Sequence, residues 1–138
     1  MTGLPPDDPR RELFGKHGFD AALPGMTLGE VGATSAEVTL EVSEQVANMV
    51  GTLHGGAIAT LVDVAGTIAI MAADQAHRPG VTTDLNVSYF AAGRLGDTVT
   101  ARAQVLKSGK TLAFVSVDLT NPQGALLAQG RMTKFMGR

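Results

Sequence analysis

The feature that most narrows the fold is a run from Ala57 to Ala73. It is apolar almost throughout, rich in alanine, and carries a single charge, Asp63. Alanine content and length favour a helix over a strand. A membrane crossing takes about 20 apolar residues, and a carboxylate at the bilayer centre costs about 2.5 kcal/mol or more. The run is therefore expected to be the central helix of a packed domain. A helix that is apolar on nearly every face needs cover on every side.

The cover is written in the flanking segments. Ala36, Val38, Leu40 and Val42 alternate with Glu37, Thr39, Glu41 and Ser43, the period of a strand with one buried face. Met26 to Gly32 reads as a weaker partner strand. After the helix, Val81, Thr83, Leu85, Val87 and Tyr89 alternate with Thr82, Asp84, Asn86 and Ser88. Val99, Ala101, Ala103 and Val105 form one face of a further strand, and Ala113, Val115, Val117 and Leu119 one face of another. Leu126 to Phe135 completes the set. Gly93 and Gly96, Ser108-Gly109 and Asn121-Pro122-Gln123-Gly124 mark the turns between them. Two strands, one long helix and four strands are best accommodated by an α+β hotdog fold. In it an antiparallel sheet of five to six strands wraps around one long central helix.

A chain of 138 residues is the size of one domain, so residues 1–138 are read as a single unit. Pro5, Pro6, Asp7, Asp8 and Pro9 make residues 1–9 a flexible arm, followed by a short helix over residues 10–22. The arm has neither the apolar centre of a signal peptide nor the composition of a transit peptide. A cytoplasmic protein is expected, with a mitochondrial one as the alternative. Charged residues make up 17% of the chain, against a usual share of about a quarter. A small domain has a large surface, so this shortfall points to a face covered by a second copy. The formal net charge is −2 and no basic stripe is present. That argues against nucleic acid and against a polybasic membrane anchor. With no cysteine there is no disulfide scaffold, thiolate zinc site or cysteine nucleophile. His17, His54 and His77 are scattered, and no metal site is expected.

Asp63 is the residue with most to say about chemistry. Its helical neighbours, Ala59, Thr60, Gly66 and Thr67, are small or weakly polar. They form a strip against which something packs closely. Burial of a carboxylate is costly unless it is hydrogen-bonded or charge-paired. One reading is a structural acid bonded to Thr60, Thr67 or backbone; the other is a general base or nucleophile in a partly dry cleft.

Directly before the helix stands Gly51-Thr52-Leu53-His54-Gly55-Gly56. Adjacent glycines at a helix start leave backbone N–H groups bare, and these suit a developing oxyanion. A tight strand-to-helix turn would use the same residues. No Lys-Ser/Thr follows the glycines, so this is no phosphate loop. His54 by itself is more often a turn residue than a base. Asn48 stands within reach of it, or of a carbonyl or water. Lys107-Ser108-Gly109-Lys110 is a hairpin turn with two cations, and Arg94 follows Tyr89-Phe90. Solvated lysines are the ordinary reading; a clamp on the phosphates of a large anionic ligand is the functional one.

Four stretches converge on one family: Asn48 to Gly56, Leu61-Val62-Asp63, Gly80 to Asn86, and Leu106 to Phe114 with its Lys-Ser-Gly-Lys-Thr-Leu-Ala-Phe core. They resemble the hotdog acyl-CoA thioesterases of the phenylacetate-pathway type, from about Met26 to Gly137. The resemblance implies hydrolysis of acyl-CoA to a free acid and CoA, with neither metal nor cofactor. It implies a homodimer, paired into a homotetramer, with each site between two subunits. By the same resemblance the Gly55 N–H polarises the thioester carbonyl, and Asn48 and His54 shape that end. Asp63 of the other chain activates water with help from Thr82. Tyr89, Phe90, Arg94, Lys107, Ser108, Gly109, Lys110, Thr111 and Leu112 lie along the CoA. Leu61, Ile68 and Met71 are candidates for the acyl pocket, whose preference among medium-chain, long-chain and aryl groups stays open. The competing readings are a hotdog hydratase or dehydratase and an acyl-CoA-binding module without turnover.

Overall fold

In the computed structural model, which describes residues 4–137, helix α2 spans Gly55–Ala73 and everything else is arranged around it. Leu61, Val62, Ala65, Ala69 and Ile70 are fully buried. The run has the length and apolarity of a membrane span, but here a sheet takes the place of lipid. Its strands are β1 (Thr27–Val31), β2 (Ser35–Glu41), β3 (Val81–Tyr89), β4 (Thr98–Ser108), β5 (Leu112–Thr120) and β6 (Leu126–Phe135). All neighbours pair antiparallel in the order β1-β2-β4-β5-β6-β3. This is the hotdog arrangement, with six strands.

The inward parity of β2, β4 and β5 follows the alternation in the sequence. Val38, Leu40, Val99, Ala101, Val117 and Leu119 are all without exposure. Small residues let helix and sheet approach. At Gly66 a Cβ would stand 2.6 Å from the Met132 methyl and 3.0 Å from Val115. The tight packing expected around Asp63 therefore belongs, at Gly66, to the chain's own sheet and not to a second subunit.

Two expectations need correction. Residues 10–22 do not form one helix. They divide into α1 (Arg10–Leu13) and a 3-10 turn (Gly18–Ala22), because Gly15 takes a left-handed φ of 71° that a continuous helix does not allow. Along β3 the alternation brings only Val87 against the core, although Leu85, Val87 and Tyr89 all pair with inward residues of β6 (Met132, Gly130 and Ala128). A bulge between Thr82 and Asp84 breaks the register, and Val81, Leu85 and Tyr89 are exposed. The cause is position: β3 is an edge strand, bonded on one side only, to β6.

Of residues 1–9, the first three lie outside the described residues. Leu4 is buried, and Arg11 donates to the carbonyls of Leu4 and Pro5. Arg10 pairs with Asp8 and donates to the His77 carbonyl, tying this segment to the turn after α2.

Candidate active site

The sequence-selected residues fall into three groups along α2. At its N-terminus is the glycine corner. His54 is the N-cap, and its Nδ1 accepts from the Gly56 N–H at 2.8 Å. That is the turn-holding role. The Gly55 N–H has no acceptor among the described residues, and it stands at the positive end of a 19-residue helix. Asn48 does not reach His54. Its amide donates to the Thr52 hydroxyl and accepts from the N–H groups of Val50 and Thr52, so it shapes the loop leading to the corner. Tyr89 is not merely an exposed ring: its hydroxyl donates to the Gly55 carbonyl at 2.9 Å. The Leu53 N–H bonds the Gly93 carbonyl and Thr52 bridges to Arg94, which brings Arg94 to the same end. Phe90 follows Tyr89 and is exposed.

Two turns further along, about 12 Å of helix axis, Asp63 is half-buried. Its hydrogen-bond partner is neither Thr60 nor Thr67. Thr60 bonds back to the Gly56 carbonyl, and it is the Thr82 hydroxyl on β3 that donates to Asp63 Oδ1 at 2.8 Å. The contact lies where the β3 bulge begins.

Asp63 opens into a cleft of about 400 Å³. Phe14, Val64, Ile68, Met71 and Pro79 form its apolar part. Of the candidates for the acyl pocket, Ile68 and Met71 line this cleft, whereas Leu61 is fully buried in the core. Three further charged residues share this space, Arg10, Asp20 and Lys134. No motif singles them out. One signal in the sequence was available for Lys134: on β6 it continues the inward series Ala128, Gly130, Met132, an odd place for a cation. Among the described residues, no three His, Asp or Glu side chains gather into a metal site.

At the far end of α2 lies the β4–β5 hairpin. Ser108, Gly109 and Lys110 line a groove with Asp74 and Arg78, which are themselves ion-paired at 2.8 Å. Gly109 closes the turn by donating to the Leu112 carbonyl. Lys107, Lys110, Thr111 and Leu112 are exposed. Within one chain, then, the glycine corner, the carboxylate and the cationic hairpin are spread along the whole helix, about 28 Å.

A single helix wrapped by a six-stranded antiparallel sheet, with a bare N–H at its glycine start and one carboxylate midway, defines a hotdog thioester-handling protein. The chain belongs to the thioesterase superfamily, whose family model matches residues 50–128. It is 44% identical to acyl-coenzyme A thioesterase 13 of Mus musculus over 126 residues, covering 91% of this chain and 89% of that one. Among solved structures it is similar to thioesterase superfamily member 2 of zebra fish, with TM-score 0.87, 42% identity, and 93% and 96% of the two chains covered. It is also similar to the E. coli PaaI protein of the phenylacetic acid degradation operon (TM-score 0.81, 26% identity, 93% and 91% covered). It is an acyl-CoA thioesterase.

Proposed function

We propose that this thioesterase hydrolyses medium- or long-chain fatty acyl-CoA, or aryl acyl-CoA, in a site completed by two chains. One supplies the Gly55 corner and the other Asp63. The observation that carries this is the separation of the two groups by two helical turns in a single chain, too far for both to act on one carbonyl. The open edge of β3 supports it. Nine residues are left unpaired on one side, and beyond the bulge between Thr82 and Asp84 the edge over residues 85–89 carries neither a charge nor a proline to keep it from pairing with another chain. A homodimer formed there, and a homotetramer of two such dimers, is the assembly this reading expects.

In the reaction, Asp63 removes a proton from water as the water oxygen attacks the thioester carbon. The carbonyl oxygen gains negative charge and is held by the Gly55 N–H, a kind of contact worth about 3 kcal/mol. The carbon–sulfur bond then breaks, and CoA leaves as a thiolate that takes up a proton. Thr82 holds the carboxylate in place, Asn48 and His54 hold the corner, and Tyr89 braces it. The apolar part of the cleft takes the acyl group. Arg94, Phe90 and the 107–112 hairpin take the CoA. His54 is engaged as a helix cap, which counts against the proton-shuttling role that a hydratase would require.

The test is complementation. Asp63→Asn is expected to lose at least about a hundredfold in kcat. Gly55→Pro removes the N–H at a helix position that tolerates proline. Refolded together in equal amounts, two inactive variants give mixed dimers with one intact site each, and about a quarter of wild-type activity returns. No recovery would exclude the shared site, and near-normal turnover in Asp63→Asn would remove its assignment as base.

A further inference from the structure

Asp63 is held by one neighbour and faced by another. Thr82, which donates to its carboxylate, pairs directly across the sheet with Lys134 of β6. Directly opposed residues place their Cβ atoms about 5 Å apart on one face. Lys134 therefore points to the side where Asp63 sits, and both line the same cleft. Lys134 is 5% exposed, and its ammonium has neither a hydrogen bond nor an ion pair among the described residues. A cation at an inward strand position, on a largely buried side chain whose ammonium reaches solvent only through the cleft and has no structural partner, is costly.

We propose that Lys134 is a positioning residue for Asp63: its charge holds the carboxylate turned towards the water it activates, while Asp20 opposes it.

The proposal rests on the reading of Asp63 as the base. The charged and titratable groups around this cleft are Arg10, His17 and Asp20 from the N-terminal segment, Asp63 from α2 and Lys134 from β6. Burial pushes the Lys134 ammonium below its usual range, and the negative charge of Asp63 partly restores it. Burial, with Asp63 adding to it, pushes the Asp20 carboxyl up. Both shifts identify Asp63 as a charge that each of the two responds to. The Lys134 ammonium makes no hydrogen bond or ion pair among the described residues, so a neutral side chain of similar length is expected to be tolerated; replacing a buried charge by an apolar group is often neutral or stabilising.

The experiment is the pH profile of kcat/KM, and of kcat and KM separately, with octanoyl-CoA. Its variants are Lys134→Met, Lys134→Arg and Asp20→Asn, each checked for folding by thermal unfolding. Removing the cation raises the acid limb by at least about half a pH unit, the direction expected when a carboxylate loses an opposite charge. It also lowers kcat severalfold and leaves KM within about twofold. Lys134→Arg restores the limb. Asp20→Asn moves it the other way, because a like charge is removed. An unmoved limb in folded Lys134→Met overturns the proposal. Should that variant not fold, Lys134→Gln takes its place, and an unmoved limb in it overturns the proposal. The failures are distinguishable: full turnover in Asp63→Asn removes the base reading itself, whereas an inactive Asp63→Asn beside an unmoved limb in Lys134→Met removes only the role of Lys134.

Discussion

Strands β3 and β5 are nine residues each and both alternate apolar with polar side chains. In β5 the alternation builds core: Ala113, Val115, Val117 and Leu119 are at most 1% exposed. In β3 only Val87 packs against the core: Val81 is 65% exposed and Tyr89 53%. The difference is the place in the sheet. β5 has a strand on both sides and α2 beneath it, while β3 has β6 on one side and, among the described residues, no strand on the other. The same pattern thus serves stability in one strand and, in the reading proposed here, assembly and chemistry in the other.

The largest effect expected from that contrast is on β5. Leu119→Ala removes a fully buried side chain and should cost about 3 kcal/mol in denaturant unfolding, as buried leucine truncations do. A loss below about 1 kcal/mol would mean that the β5 face is not core. Next comes β3. Leu85→Lys places a charge on a side chain that is 38% exposed. It should change monomer stability by no more than about 0.5 kcal/mol, yet shift sedimentation towards the monomer and reduce activity in parallel. A fully active dimer would separate the β3 edge from the assembly.

Smaller effects sharpen the comparison at its margins. Lys110→Ala should raise KM severalfold with kcat almost unchanged, the signature of lost binding common to ground and transition states. An unchanged KM at low ionic strength would count against the phosphate clamp. The smallest is at the N-terminal segment. The hydrogen bond from Arg10 holds the Asp8 carboxyl down, from the ordinary 3.8 to about 2. A carboxylate whose value is lower when folded contributes stability that is complete above 3.8 and is lost as the pH falls through about 2. A carbon-13 titration of Asp8 with its midpoint back near 3.8 would show that this tie to the His77 turn does not persist in solution.

Most of the architecture was legible because periodicity speaks for burial. α2, β2, β4, β5 and β6 appear where their patterns place them, since each meets the core on a continuous face. Legibility failed where a local geometry intervened. Gly15 breaks the N-terminal helix, the bulge after Thr82 puts Val81 out of phase with the rest of β3, and the open edge leaves Leu85 and Tyr89 exposed. The site was half legible. Gly55, Asp63 and Thr82 stand out by type and by motif, but that Thr82 grips Asp63, that Tyr89 braces Gly55, and that Asn48 serves its own loop are facts of distance between segments far apart in the chain. Lys134 shows the limit most clearly. Its inward parity is written in β6, but parity alone does not say which side chain it faces.

The amino-acid order by itself determined the helix, the strands, the chemical types at the site and the family. Those depend on spacing along the chain and on the solvation preference of each residue. Only the tertiary structure decided the strand order that leaves β3 at an edge, and the gap along α2 between the glycine corner and the carboxylate. Hydrogen bonding across a sheet and the rigid rise of a helix set distances that no local pattern encodes.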